Sequence, residues 1–185
     1  MIISREKAFV LLKKYLKNVN SVKFSLSVEA ILIEMAKKLS KDKDLWGLAG
    51  LLHNLDYEYT LNEPEKRGNI SSQLLEGLIP DIVVNAIKAN NYNHTDYIPI
   101  TALDKSLIAA NSICRLIFAT IETTNSKKIE EVDLKLLIDR FKDPYFAKEI
   151  NRTRIEICID LGIEMQDFFE LSLNALKSIS ERIKI

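Results

Sequence analysis

The chain has 185 residues, 47% hydrophobic and 28% charged, and its 26 Lys+Arg balance 26 Asp+Glu. That length suits one domain, or one domain with a small helical appendage, and the apolar share is enough for a sizeable core. Zero net charge removes the electrostatic ground for non-specific nucleic-acid binding, so no nucleic-acid partner is expected. The best candidate for a membrane span is interrupted by Arg115 and no apolar run approaches the ~20 residues needed, so no membrane partner is expected either. The segment from Met1 to Lys7 lacks a signal-peptide layout, and Cys114 and Cys158 belong to no CxxC pair. A cytoplasmic protein with two buried thiols is the expectation.

With 5 Gly and 4 Pro as the only strong breakers, long helices are predicted. Ser4 can cap a first helix reaching about Lys17, with Phe9, Leu12 and Leu16 near helical spacing. A second starts at Asn20 or Ser21 and carries the stripe Val28, Leu32, Met35, Ala36 and Leu39. Asp42 offers an N-cap for a third helix from Leu45 to about Leu55. Tyr57 to Arg67 reads as a loop around Pro64, followed by short helices over about Asn69–Glu76 and Pro80–Ala89, with Pro80 in the first turn. Asn90 to Ile100 is polar and turn-rich; Thr101 and Asp104 then form a capping-box variant that opens a long apolar helix to about Ile121.

Glu122 to Lys128 is the most linker-like stretch and is expected not to pack. Three further helices follow, over about Ile129–Phe141, Pro144–Leu161 and Met165–Ile183, with Gly162 ending the second of them. Neither Ile2-Ile3 nor Val83-Val84 is long enough to argue for a strand. The prediction is an all-α bundle of eight or nine helices, organised as a core over residues 1–125 with C-terminal helices over 126–185 packed on it. Phe168, Phe169, Leu171 and Leu176 in the tail are candidates for a homo-oligomer interface.

The chemistry-bearing residues fall in separated segments. Trp46-Gly47-Leu48-Ala49-Gly50-Leu51-Leu52-His53-Asn54 leads into Leu55-Asp56-Tyr57-Glu58. Lys23-Phe24-Ser25-Leu26-Ser27-Val28-Glu29-Ala30 precedes it; Pro64-Glu65-Lys66-Arg67-Gly68, Ala86-Ile87-Lys88-Ala89-Asn90-Asn91 and Ala109-Ala110-Asn111 follow. In this order the segments resemble the HD-domain (HDIG-type) metal-dependent phosphohydrolases, over about Lys23 to Lys148. The resemblance implies an all-α HD-type fold in which His and Asp side chains hold a divalent metal that activates water and neutralises phosphoryl charge. The family's ligand positions fall on Phe24, His53, Asn54, Arg67, Asn90 and Asn111, and only His53 is still a metal-ligand residue type.

These replacements imply a degenerate member of the superfamily, without a metal and without catalytic residues. Phe24 cannot coordinate, and the amides of Asn54 and Asn111 are poor ligands for a transition metal. Arg67 would set a fixed cation beside the metal; at ~4 Å two unit charges near a protein surface repel by about 4 kcal/mol, and a dication roughly doubles that. The same residues suggest a pocket for a small anion such as phosphate or a nucleotide, with Arg67 as cation and His53, Asn54, Asn90 and Asn111 beside it. Against that stands a filled vestige in which Arg67 pairs with Glu29, Asp56 or Glu65. A third alternative is an active phosphohydrolase on nucleotides or phosphomonoesters with a divalent metal as cofactor, using a divergent or relocated site such as His53, Asp56 and His94; for these, a helix-end role for Asp56 and a solvated loop position for His94 are the plainer expectation. Phe24 beside Trp46, with the pair Tyr57 and Tyr59, could stack a base, although aromatics at helical spacing are usually core. Lys37, Lys38, Lys41 and Lys43 alternate with acids and read as a solvated face.

Overall fold

The computed structural model describes residues 3–185, so of the two short apolar pairs Ile2 lies outside the described residues, while Val83 and Val84 sit within a helix. The protein is all-α: eleven α-helices and four 3-10 turns, with no strand among the described residues. The count exceeds the expected eight or nine because the last expected helix divides in two and a short helix forms in a segment read as a loop.

Helix α1 (Arg5–Tyr15) starts where Ser4 Oγ accepts from Lys7 N–H. Helix α2 (Val19–Lys38) begins one or two residues earlier than the expected start at Asn20 or Ser21, because Asn18 caps it. The Glu58 carboxylate closes the same corner by accepting from the backbone N–H groups of Lys17 and Asn18. Helix α3 (Lys43–Leu52) is capped by Asp42 as expected, and ends at His53. Helices α2 and α3 pack closely because Gly50 lies against the α2 backbone. A Cβ there would come within 2.6 Å of Glu29 Cα and 2.8 Å of the Val28 carbonyl oxygen.

The stretch after α3 is less irregular than a loop, with 3-10 turns at Tyr57–Tyr59 and Pro64–Lys66. Helices α4 (Asn69–Leu75) and α5 (Asp81–Ala89) follow, and Pro80 is the residue before α5 rather than part of its first turn. Helix α6 (Tyr92–Thr95) occupies part of the polar stretch. Helix α7 (Ala102–Ile121) starts with the expected capping box: Thr101 Oγ1 accepts from Asp104 N–H and the Asp104 carboxylate accepts from Thr101 N–H. It is the central helix, packed against α2, α5, α8 (Leu134–Lys142), α9 (Arg152–Glu156) and α10 (Met165–Lys177).

The segment expected not to pack is tied down. Thr123 and Thr124 hydroxyls donate to the carbonyls of Thr120 and Ile121, and the Glu131 carboxylate accepts from Asn125 and Ser126 N–H. The expected Pro144–Leu161 helix is a correction: α9 begins at Arg152, capped by Asn151, and passes into a 3-10 turn at Ile157–Leu161. Upstream, the Arg152 guanidinium donates to the carbonyls of Arg140, Phe141, Phe146, Ala147 and Ile150, which draws those oxygens inward and away from helical partners. The last expected helix divides into α10 and α11 (Ser180–Ile183), where the hydroxyls of Ser178 and Ser180 take carbonyls of the preceding turn. Gly162, at φ 72°, ends the preceding element in the left-handed region as expected.

Buried apolar residues of the first 125 positions and of the tail join in one cluster. Phe168, Phe169 and Leu176 belong to it and are buried, and α10 lies on α2 and α8. The tail residues expected at an oligomer interface are therefore spent inside the chain, with only Leu171 half-buried. Cys114 and Cys158 are buried, unpaired thiols, held well above the ordinary thiol range by desolvation. No helix among the described residues is long and apolar enough to cross a membrane.

Candidate functional site

Four separated stretches meet on one side of α7. Phe24 comes from α2, His53 and Asn54 from the end of α3, Arg67 from the turn before α4, Asn90 from the end of α5 and Asn111 from α7. The Phe24 ring lies 6.0 Å from that of His53. Asn111 Nδ2 donates to Asn90 Oδ1 at 3.2 Å. The positions singled out along the sequence are thus brought together.

His53 is buried at the C-terminus of α3, and its Nδ1 lies 2.7 Å from the Gly50 carbonyl oxygen. A carbonyl only accepts, so Nδ1 carries the proton and Nε2 is left as an acceptor; it has no partner, and neither does Asn111 Oδ1. Desolvation lowers the His53 pKa to about 4, and the charges of Arg115 and Arg67 push the same way against the Gly50 and Asn111 contacts. The imidazole is therefore neutral at pH 7, with its Nε2 lone pair unpartnered among the described residues.

Arg67 is half-buried. Its guanidinium lies over the Tyr57 ring, 4.7 Å from the centroid, and donates to Thr60 Oγ1 and Thr60 O at 3.3 and 3.4 Å. The chain turns directly after it at Gly68, where φ is 86° and a Cβ would come within 3.1 Å of the Ile87 carbonyl oxygen, so a side chain would be strained. None of the three carboxylates expected to pair with Arg67 does so. Glu29 is held by Arg5 through two hydrogen bonds, Asp56 Oδ2 accepts from Gly68 and Ser71 N–H, and Glu65 forms no ion pair among the described residues.

Two arginines that the sequence reading did not place in the site complete it. Arg154, on α9, donates to the Asn90 carbonyl at 2.6 Å and to Asn90 Oδ1 at 3.2 Å, and its guanidinium lies over Tyr92. Arg115, one turn beyond Asn111 on α7, lies 5.8 Å from the Phe24 centroid. Arg67, Arg115 and Arg154 together line a pocket of about 190 Å³, with Asn90, Asn91, Asn111 and Ser112 supplying amides and a hydroxyl. Among the described residues no carboxylate is within salt-bridge distance of any of the three guanidiniums. Burial, opposed by neighbouring Tyr57 and Tyr92 and reinforced by the Arg115 charge, lowers the pKa of Arg67 and Arg154 from the ordinary guanidinium value. The one carboxylate residue lining the pocket, Glu149, is exposed.

The remaining expectations sort by geometry. Asn54 and Phe24 line a neighbouring compartment rather than the arginine pocket, and His53 lines neither. His53, Asp56 and His94 do not converge: Asp56 caps α4 from below, while His94 is exposed on α6. Among the described residues no group of three or more His, Cys, Asp or Glu is placed to hold a metal ion. The proposed stacking set also divides, since Trp46 is buried in the core and Tyr59 is exposed against Tyr15, leaving Phe24 and Tyr57. Lys37 pairs with Glu34 and Lys38 with Asp167, while Lys41 and Lys43 are exposed. No family model, curated protein or solved structure matches the chain.

Proposed function

We propose that this protein binds a small phosphate-like anion without a metal, on a degenerate HD-domain-like scaffold that has lost metal-dependent hydrolase chemistry. The observation that carries this is the set of three guanidiniums around one pocket, none in an ion pair with a carboxylate among the described residues. Clustered like charges are costly unless an anion offsets them, and guanidiniums bind phosphate or carboxylate through paired, charge-assisted hydrogen bonds. Asn90 Nδ2 and the second hydrogen of Asn111 Nδ2 remain as donors, while Asn91 Nδ2 is taken by the carbonyls of Pro64 and Arg67. Support for the scaffold comes from the convergence of Phe24, His53, Asn54, Arg67, Asn90 and Asn111 in the order in which the family assembles its ligands. The donor set present favours an anion over a cation: amides, an aromatic ring and a guanidinium stand where a dication would need imidazoles and carboxylates.

Calorimetric titration with inorganic phosphate tests the reading. Saturable binding is expected, weakened about ten-fold or more by Arg67→Ala, since hydrogen bonds to charged groups carry about 1.5–3 kcal/mol. No saturable binding would overturn it. So would hydrolysis of a generic phosphate ester with added Mn, Co or Ni at a rate above a His53→Ala control, which is the outcome an active phosphohydrolase requires.

A further inference from the structure

The arginine pocket, at about 190 Å³, is smaller than the ~300–1,000 Å³ that small-molecule sites span, so it suits a head group rather than a whole metabolite. A second compartment of about 380 Å³ adjoins it, walled by Phe24, Tyr57, Phe118 and Ala119. Arg115, Glu149 and Ile150 line both. Two of the three arginines also touch the aromatic wall, Arg67 over Tyr57 and Arg115 over Phe24. The boundary between anion pocket and aromatic compartment is therefore Arg115, with Glu149 and Ile150 beside it, and Arg67 reaches the aromatic wall through Tyr57.

We propose that the site takes an organic phosphate monoester with a flat, uncharged aromatic body. The phosphoryl group sits among Arg67, Arg115 and Arg154, and the ring sits against Phe24, Tyr57 and Phe118. The proposal rests on the anion reading above and adds the class of molecule that carries the anion. Phe24 and Phe118 meet edge to face with centroids 5.7 Å apart, an arrangement that a third ring extends. Asn20, Ser21 and Asn54 also line this compartment, and Asn54 is buried. An aromatic ring stacks against Phe24, Tyr57 and Phe118 with a gain that an alkyl chain of similar size lacks. Glu149 at the boundary disfavours a second negative charge on the body.

Inorganic phosphate, phenyl phosphate and butyl phosphate are titrated against the wild-type protein and against Ala119→Phe, which fills the aromatic compartment from its α7 wall. Phenyl phosphate is expected to bind about ten-fold tighter than inorganic phosphate, and tighter than butyl phosphate. Ala119→Phe should remove that gain while inorganic phosphate still binds, which also shows that the variant is folded; Ala119→Leu provides a smaller filling residue if it is not. If inorganic phosphate binds but phenyl phosphate binds no tighter, or if filling the compartment leaves the gain intact, the aromatic-body proposal fails and the anion reading stands. If none of the three binds, the anion reading fails and takes this proposal with it.

Discussion

His53 carries the clearest single-residue consequence. It is neutral and buried, with a folded-state pKa of about 4 against an ordinary 6.5. The unfolded chain therefore takes up a proton at a higher pH than the folded protein does. Stability from this residue is fully present above about pH 6.5 and is lost as the pH falls through that value toward 4. The full shift corresponds to about 3 kcal/mol. Urea denaturation between pH 7 and 4 should show the loss, and His53→Gln should flatten that part of the profile; an unchanged slope in the variant would disprove the assignment. His53, Arg67, Asn90 and Asn111 were legible in the sequence because short flanking runs surround each of them. Arg115 and Arg154 were not: Arg115 reads only as an interruption of an apolar helix, and Arg154 sits in no recognisable run. Their role comes from α7 and α9 packing side by side, which no local pattern encodes.

At the scale of elements, helix starts were legible where a short polar side chain meets the first free N–H groups, as at Ser4, Asp42 and Thr101. Ends and breaks were harder, because they depend on distant partners. The Arg152 guanidinium gathers carbonyls from residues 140 to 150 and so prevents the helix that the apolar spacing suggested. The α2–α3 pair holds one wall of the site, with Phe24 on one helix and His53 and Asn54 at the end of the other. Gly50 sets their separation, since a methyl there would meet backbone atoms of Val28 and Glu29 rather than a movable side chain. Gly50→Ala should destabilise by about 1–3 kcal/mol through overpacking. It should also weaken phosphate binding by shifting Phe24 and Asn54. Chemical denaturation measures the first effect and titration the second; a variant as stable as wild type would mean the helices separate freely.

For the whole molecule, zero net charge conceals an uneven distribution. Some surface acids and bases balance locally, as in the Lys37–Glu34, Lys38–Asp167 and Lys105–Asp160 pairs, while Arg67, Arg115 and Arg154 face one pocket without a carboxylate partner among the described residues. Surface pairs of that kind contribute little stability, so removing one should barely change the melting temperature. The arginine cluster behaves oppositely. In anion-free buffer it opposes folding, because Arg67 and Arg154 are partly buried and the exposed Arg115 repels both, whereas the unfolded chain keeps all three charges apart in water. A phosphate that binds only the folded state adds RT ln(1 + [L]/Kd), about 2.7 kcal/mol at 100 times Kd, or several degrees for a chain of this size. Wild-type protein should therefore melt higher in phosphate than in chloride at equal ionic strength. Arg115→Gln should match or exceed wild-type stability in chloride, since it removes one charge from the cluster, yet lose the phosphate response. Loss of stability in chloride together with a retained phosphate shift would show that Arg115 serves packing against Phe24 and takes no part in holding an anion. The crossed behaviour, neutral or stabilising without ligand and deleterious with it, separates a site held in tension for a ligand from charges that merely happen to lie together.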